Sequence, residues 1–353
     1  MSNITTCFMP NITNNQSVEK RKRLIEENGF DLVSIRQCIK RPSLFLKCKI
    51  FNLNWFENVD TRFAYYKRLA FLRLLRLFGK RIVYTVHNKK PHNAKGDIWP
   101  TKMMKTLCRK SNAIIGFCPE TKDVVRDLDP ESLSKLVIIP HENYISEYQN
   151  VSITDLRTKY AIPSEDTVFL FLGFIAPYKN LEKIIDIFKT VSNKNVWLLI
   201  AGRPVDEEYG ESLKSLIGKT DHIITDMRYI PEEEVPSFYN AVDIVILPYK
   251  KETSLNSGVV YLSFSLKKTV VTSEIGSIKA MKERDFIYSY DYVDENEHPE
   301  KLREAIMRAL NDQEKDRNII REKGHQAFEY VKKYHDDELI GKAYGDLYRR
   351  LIK

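Results

Sequence analysis

Short apolar runs rich in β-branched and aromatic residues alternate with segments of helical period along the whole chain. In the first half the predicted strands are 4–9, 30–35, 48–53, 81–87, 113–117 and 136–140, with helix-compatible stretches such as 18–27 and 65–78 between them. In the second half 168–173, 196–202, 223–230, 244–249, 269–273 and 286–290 alternate with helices in the same way. Connections of this length admit crossover helices, so the pattern predicts βαβ units and parallel sheets. The clearest helix starts at Asn180 as N-cap and puts Leu181, Ile184, Ile185 and Phe188 on one face. The stretch 142–166 is polar, contains Pro163 and keeps no apolar period, which marks an interdomain crossing. The expected fold class is α/β, with two similar domains facing across a cleft, and ligands bound beyond the carboxyl ends of the strands.

A length of 353 residues fits two core-forming domains, and 43% hydrophobic with 29% charged residues is ordinary globular composition. The formal net charge of +8 favours anionic partners without choosing among nucleotide diphosphates, anionic lipid and nucleic acid. No aromatic-interleaved basic motif supports nucleic acid, so none is expected as a partner. Cys7, Cys38, Cys48, Cys108 and Cys118 are odd in number and form no CxxC pair, which argues against a zinc site or a disulfide framework and for a reducing compartment. The N-terminal stretch lacks a signal pattern and no apolar run is long enough to span a bilayer, so a cytoplasmic protein is expected.

The residues after the strands carry the candidate chemistry. Strand 168–173 ends at Gly173 and leads through Ala176 to Lys179, at the mouth of the helix capped by Asn180, where free N–H groups attract anions such as a diphosphate. The bland alternative is a solvated lysine beside a cap. After strand 244–249, Asn256, Ser257 and Gly258 either start a phosphate-cradling helix or merely begin a buried one through Val259, Val260, Leu262 and Leu266. Arg203 follows strand 196–202, where it pairs with phosphate or stays on the surface. His87 closes strand 81–87, placed to serve as a base near neutral pH or as a structural hydrogen-bonding residue.

The segments IVYTVHNKKPH at 82–92, VIIPHENYISEY at 137–148, FLFLGFIAPYKN at 169–180, LLIAGRP at 198–204 and VILPYKKETSLNSGVVYLSFSLKKTVV at 245–271, in this order and spacing, resemble the GT-B glycosyltransferases, in particular the family 4, or group 1, enzymes. The resemblance implies a Rossmann-like acceptor-binding domain at 1–150, a Rossmann-like nucleotide-sugar domain at 151–335, and a terminal helix at 336–353 packing back on the first. It implies that Lys179 and the backbone at Ser257 and Gly258 hold the diphosphate, with Gly173, Arg203 and Asn256 on the donor side and Tyr229 and Ile230 beside the base. His87 faces the transferred sugar, as base if the enzyme inverts and as a support for the donor sugar if it retains. Asn15, Asn88 and His92 are acceptor-side candidates. No cofactor and no metal are implied, the donor being a nucleoside-diphosphate sugar and the acceptor a saccharide or lipid-linked saccharide in surface-glycan assembly. Two departures are visible: Ala176 stands where relatives carry arginine, and Ser254 and Leu262 stand where two glutamates are usual, with Glu252 in a shifted register.

Ala176 and the absent glutamates motivate a second expectation, a nucleotide-sugar-binding or scaffold protein on the same fold without catalysis. The stretch 65–81 mixes arginines with large apolar residues at helical spacing, which suits docking on an anionic membrane surface, at the inner face of the plasma membrane. It equally suits a core helix with an arginine-bearing outer face, burying Leu69, Leu72 and Leu75.

Overall fold

The computed structural model describes residues 4–10, 15–90, 98–191 and 195–353. The chain divides into two compact units, one of Met1–Glu142, Glu252–Asn256 and His335–Lys353, the other of Asn143–Lys251 and Ser257–Tyr334.

In the first unit, β1 (Ile4–Met9), β2 (Phe30–Val33), β3 (Ile50–Asn54), β4 (Arg81–Thr85), β5 (Ala113–Gly116) and β6 (Leu136–Ile138) form a six-stranded sheet in the order β2-β1-β3-β4-β5-β6. All its pairings are parallel. The strands stop short of some expected ends, β4 at Thr85 and not at His87, because the backbone beyond turns into loops at the carboxyl edge. Alternation along the strands sends Phe51, Leu53, Ile82, Tyr84 and Ile114 into one core and Ile50, Val83, Ala113 and Ile115 into another. Both faces are covered, as parallel sheets require. Helix Asp337–Ile352 closes one face: Tyr348 packs edge-on against Phe30 at 5.1 Å and Asp337 pairs with the buried Lys20 at 2.9 Å. A Cβ on Gly341 would come within 3.2 Å of the Leu24 carbonyl oxygen, so a residue without a side chain lets this helix approach helix Gln16–Glu27.

In the second unit, β7 (Thr167–Leu172), β8 (Val196–Ala201), β9 (Ile223–Asp226), β10 (Ile244–Leu247), β11 (Thr269–Ser273) and β12 (Tyr288–Tyr290) run in the order β12-β11-β10-β7-β8-β9, again all parallel. Val168, Leu170 and Leu172 enter one core while Phe169 and Phe171 enter the other. Helix Leu181–Thr190 buries Leu181, Ile184, Ile185 and Phe188 as its periodicity predicts. Asn180 occupies the cap position, but in the left-handed region with φ 55° and no side-chain cap bond. Its Nδ2 instead donates to the Pro248 carbonyl at 2.7 Å, tying the loop after β7 to the end of β10. No helix among the described residues is long and apolar enough to cross a membrane.

Candidate active site

The strand order of the second unit reverses between β7 and β10, and a doubly wound sheet opens a crevice at the carboxyl end of such a switch point. The backbones leaving β7 and β8 approach closely there. A Cβ on Gly202, at φ 141°, would lie 1.8 Å from the Gly173 oxygen. The next turn carries Lys179, half-buried, its ammonium 4.1 Å from the centre of the Tyr249 ring and 5.1 Å from that of Tyr178. Lost hydration pushes this ammonium down to about 8, and among the described residues no carboxylate pairs with it. Aromatic faces hold the cation while leaving its charge unneutralised. That arrangement suits an incoming anion.

Tyr249 follows β10 and is fixed from two sides: Ser273 Oγ donates to its carbonyl at 2.6 Å, and Ser257 Oγ donates to its phenol oxygen at 2.8 Å. Ser257 therefore stands at the N-cap of helix Gly258–Ser265 but spends its hydroxyl elsewhere, so no side chain caps that helix. The first N–H groups of the helix, beginning at Gly258, are left for a ligand or water. Asn256 belongs to the first unit, and its Oδ1 and Nδ2 are buried with no hydrogen-bond partner among the described residues. Buried amides without partners are rare, and this one fits a position that a ligand or water completes.

Arg203 is exposed beyond β8, in a loop laced to the one after β7 by Ile175 N–H donating to the Arg203 oxygen at 2.9 Å and Val205 N–H to the Ile175 oxygen at 2.8 Å. Strand β9 ends at Asp226, so Tyr229 and Ile230 lie in a loop and not in a strand as expected. Arg228 holds that loop by donating to Asp226 at 2.9 Å and Glu234 at 3.0 Å, leaving Tyr229 half exposed. Ala176 is buried, and of the positions usual for the two glutamates Ser254 is buried and Leu262 packs on the core.

In the first unit the order reverses between β1 and β3, and the second candidate cluster gathers beside that point. Asn54 ends β3. Its Nδ2 donates to the Met9 carbonyl at 3.1 Å and to Asn52 Oδ1 at 3.0 Å, which turns its Oδ1 toward His87 Nε2, 3.1 Å away. Because Oδ1 can only accept, Nε2 carries the proton and Nδ1 keeps the lone pair of the neutral ring. Among the described residues no partner occupies Nδ1. Trp55, in the left-handed region at φ 50°, stacks on the His87 ring with centroids 3.9 Å apart. Such a backbone costs about 1–3 kcal/mol and tends to mark functional loops.

Behind His87, Arg21 and Glu142 form a buried ion pair at 2.9 Å. Ser17 donates to Glu142, Arg21 also donates to Asn54 Oδ1 at 3.3 Å, and its guanidinium lies over the Phe117 ring. Burial alone would push Glu142 up, but Arg21, His141 and Ser17 outweigh it and hold the carboxylate at about 2. Burial, then the charge of Arg21 and then His141, hold the His87 imidazole well below its ordinary value, so it is neutral at neutral pH.

Of the acceptor-side candidates, Asn15 caps helix Gln16–Glu27, its side chain accepting from Val18 N–H. Asn88 forms an isolated antiparallel bridge with Ser254. His92 lies outside the described residues. Arg21, Glu142, Asn54, Trp55 and Tyr249 were not singled out from the sequence. Arg21 and Glu142 are 121 positions apart and no spacing links them; Tyr249 borders the Lys250 segment and reads as the last residue of a buried strand.

The fold is that of the GT-B glycosyltransferases. Over 99% of this chain and 100% of the other it superposes on Anabaena HepE in complex with UDP and glucose, with TM-score 0.76 at 11% identity. Against sucrose-phosphate synthase from Thermosynechococcus elongatus the TM-score is 0.74 at 14% identity, covering 99% of each chain. Residues 152–326, just under half of the chain, match the model of the family Glycosyl transferases group 1. The chain is 24% identical over 255 residues to a GDP-mannose:glycolipid 4-beta-D-mannosyltransferase of Xanthomonas campestris pv. campestris, over 68% of this chain and 66% of that protein. It is 27% identical over 194 residues to a lipopolysaccharide 1,2-N-acetylglucosaminetransferase of Salmonella typhimurium, over 53% of this chain and 50% of that one. The matched stretch thus spans just under two thirds of the first relative and half of the second.

Proposed function

We propose that this chain transfers a sugar from a nucleoside-diphosphate sugar to a hydroxyl of a saccharide or lipid-linked saccharide, in surface-glycan assembly at the cytoplasmic face of a membrane. The observation that carries the reading is the uncompensated Lys179 ammonium beside an uncapped helix start, at the switch point of the unit that matches the group 1 family. In this role the second unit holds the donor, with Lys179, the N–H groups from Gly258 and Arg203 facing the diphosphate and Tyr229 and Ile230 beside the base.

The first unit holds the acceptor. His87 Nδ1 accepts the hydroxyl proton as the acceptor oxygen bonds to the anomeric carbon, while the bond from that carbon to the phosphate oxygen breaks and the nucleoside diphosphate leaves. Charge growing on the leaving group is met by Lys179 and the helix N–H groups without a metal. The relatives support the substrate classes by their names alone: one uses GDP-mannose and a glycolipid, and HepE holds UDP and glucose.

The test is transfer of radiolabelled sugar from a panel of nucleotide sugars to lipid-linked saccharides, with native protein and His87→Ala. Transfer by native protein, reduced at least about a hundredfold in the variant with donor binding kept, supports the proposal. The second reading, binding without catalysis, draws on Ser254 and Leu262 at the glutamate positions. Donor binding with no transfer to any acceptor would favour it.

A further inference from the structure

Helix Arg62–Leu77 has two apolar faces. One buries Tyr65, Leu69, Leu72 and Leu75 in the core, as a crossover helix must. The other, at 63, 66, 70, 74 and 77, is also spaced by three and four residues, and it faces solvent: Phe63 is 78% exposed, Leu77 80%, and Tyr66 and Leu74 are exposed as well. Helix Ile98–Lys110 packs beside it, Tyr65 bonding Thr106 at 3.0 Å, and continues this surface with Ile98, 77% exposed. Half of the large hydrophobic residues left exposed in the described chain lie between Ile39 and Ile98.

Charge is concentrated in the same stretch. Residues 35–110 contain 19 Lys and Arg but only three Asp and Glu, a net +16, so the remainder of a chain with net +8 carries −8. Among the acidic residues here Glu57 is buried, while Arg62, Lys67, Arg73, Arg76, Lys102 and Lys105 are exposed on the two helices. Large aromatic and aliphatic tips interspersed with cations at one helix face match the interface of an anionic bilayer, where rings and leucines enter the headgroup region and ammonium and guanidinium groups meet phosphates.

We propose that the outer face of helices Arg62–Leu77 and Ile98–Lys110 docks the chain on anionic phospholipid membrane. This deepens the proposed function by naming the surface on which a lipid-linked acceptor is met, and it rests on that function only for the acceptor's being lipid-linked. The binding itself needs no turnover.

The experiment is flotation of the full chain with vesicles of phosphatidylcholine alone and with about one third phosphatidylglycerol. Binding to the anionic vesicles at least about tenfold stronger than to the neutral ones is expected, and it weakens at high salt. Phe63→Ser with Leu77→Ser, both at exposed positions, reduces it at least about tenfold, as does Lys67→Glu with Arg73→Glu, whereas Val293→Ser on the second unit leaves it unchanged. Equal binding to both vesicles, none to either, or binding undisturbed by both double variants would overturn the inference. So would a stable dimer that the Phe63→Ser, Leu77→Ser variant converts to monomer, since the face would then be a contact between copies. Vesicle binding without any nucleotide-sugar binding would leave this inference standing and remove the proposed function.

Discussion

Asn54 Oδ1 lies 3.1 Å from His87 Nε2, and its amide is held from the other side by the Met9 carbonyl and Asn52. The ring is thereby kept with its lone pair on Nδ1. Replacing Asn54 by Asp keeps the shape and adds a negative charge beside the imidazole, so the acidic limb of the kcat/KM profile moves up by about one pH unit or more. Asn54→Leu removes the acceptor and lowers kcat about tenfold to a hundredfold with donor affinity kept. A pH profile unchanged in Asn54→Asp would contradict the assignment of His87 as the titrating group.

The buried pair of Arg21 and Glu142 makes the same cluster sensitive to truncation. Glu142→Gln leaves a guanidinium without its counter-ion and destabilises the chain by about 3–5 kcal/mol in urea unfolding. Removing both charges with Arg21→Met and Glu142→Leu costs less than the two single losses added together. Glu142 is held at about 2, below its ordinary 4.5, so its contribution is present above pH 4.5 and is lost as pH falls toward 2. A flat stability profile across that acid window would count against the pair.

Glu57 behaves in the opposite sense. Burial raises its carboxyl from 4.5 to about 7 despite opposing hydrogen bonds and Arg68. Its protonated form is the one the core accepts, so stability is full below pH 4.5 and declines as pH rises through 7, by about 3 kcal/mol at 1.36 kcal/mol per pH unit. Glu57→Gln should flatten that part of the stability curve, which thermal unfolding between pH 4 and 8 reads directly.

Donor binding should depend on pH through Lys179. In the free chain its ammonium loses its proton near pH 8, and a bound diphosphate restores the charge. Affinity for a nucleoside diphosphate therefore falls up to about tenfold per pH unit above 8, and Lys179→Arg, charged throughout, abolishes that fall. Calorimetric titration at pH 7, 8 and 9 distinguishes the two.

Much of the architecture is legible in the chain because each strand is a short apolar run bounded by polar loops, and the run at 4–9 coincides with β1 to the residue. The strands end earlier than the apolar runs predict where those runs continue into loops, as at Tyr229 and Ile230, or at Tyr249, whose ring lies against the Lys179 ammonium. Lys179 and Ser257 stand out in the sequence by their place after strands, and the structure sets both against Tyr249. The cluster of Arg21, Asn54 and Glu142 does not stand out in the sequence, because it arises from three segments distant in sequence that meet in the fold. The helix at 62–77 was ambiguous in sequence because an apolar residue on its outer face looks the same as one on its inner face. Only the packing separates Leu69 and Leu72 from Phe63 and Leu77.

The measurement closest to the central claim is thermal stabilisation by UDP, GDP, ADP and TDP and their sugars, made on native protein and on folded Lys179→Ala. Binding to the folded state raises the midpoint by mass action. The expected result is a selective rise with one nucleotide and its sugar, with affinity at least about tenfold weaker in Lys179→Ala. No rise with any member, or equal affinity in the two proteins, would contradict the assignment of a nucleotide-sugar site at Lys179.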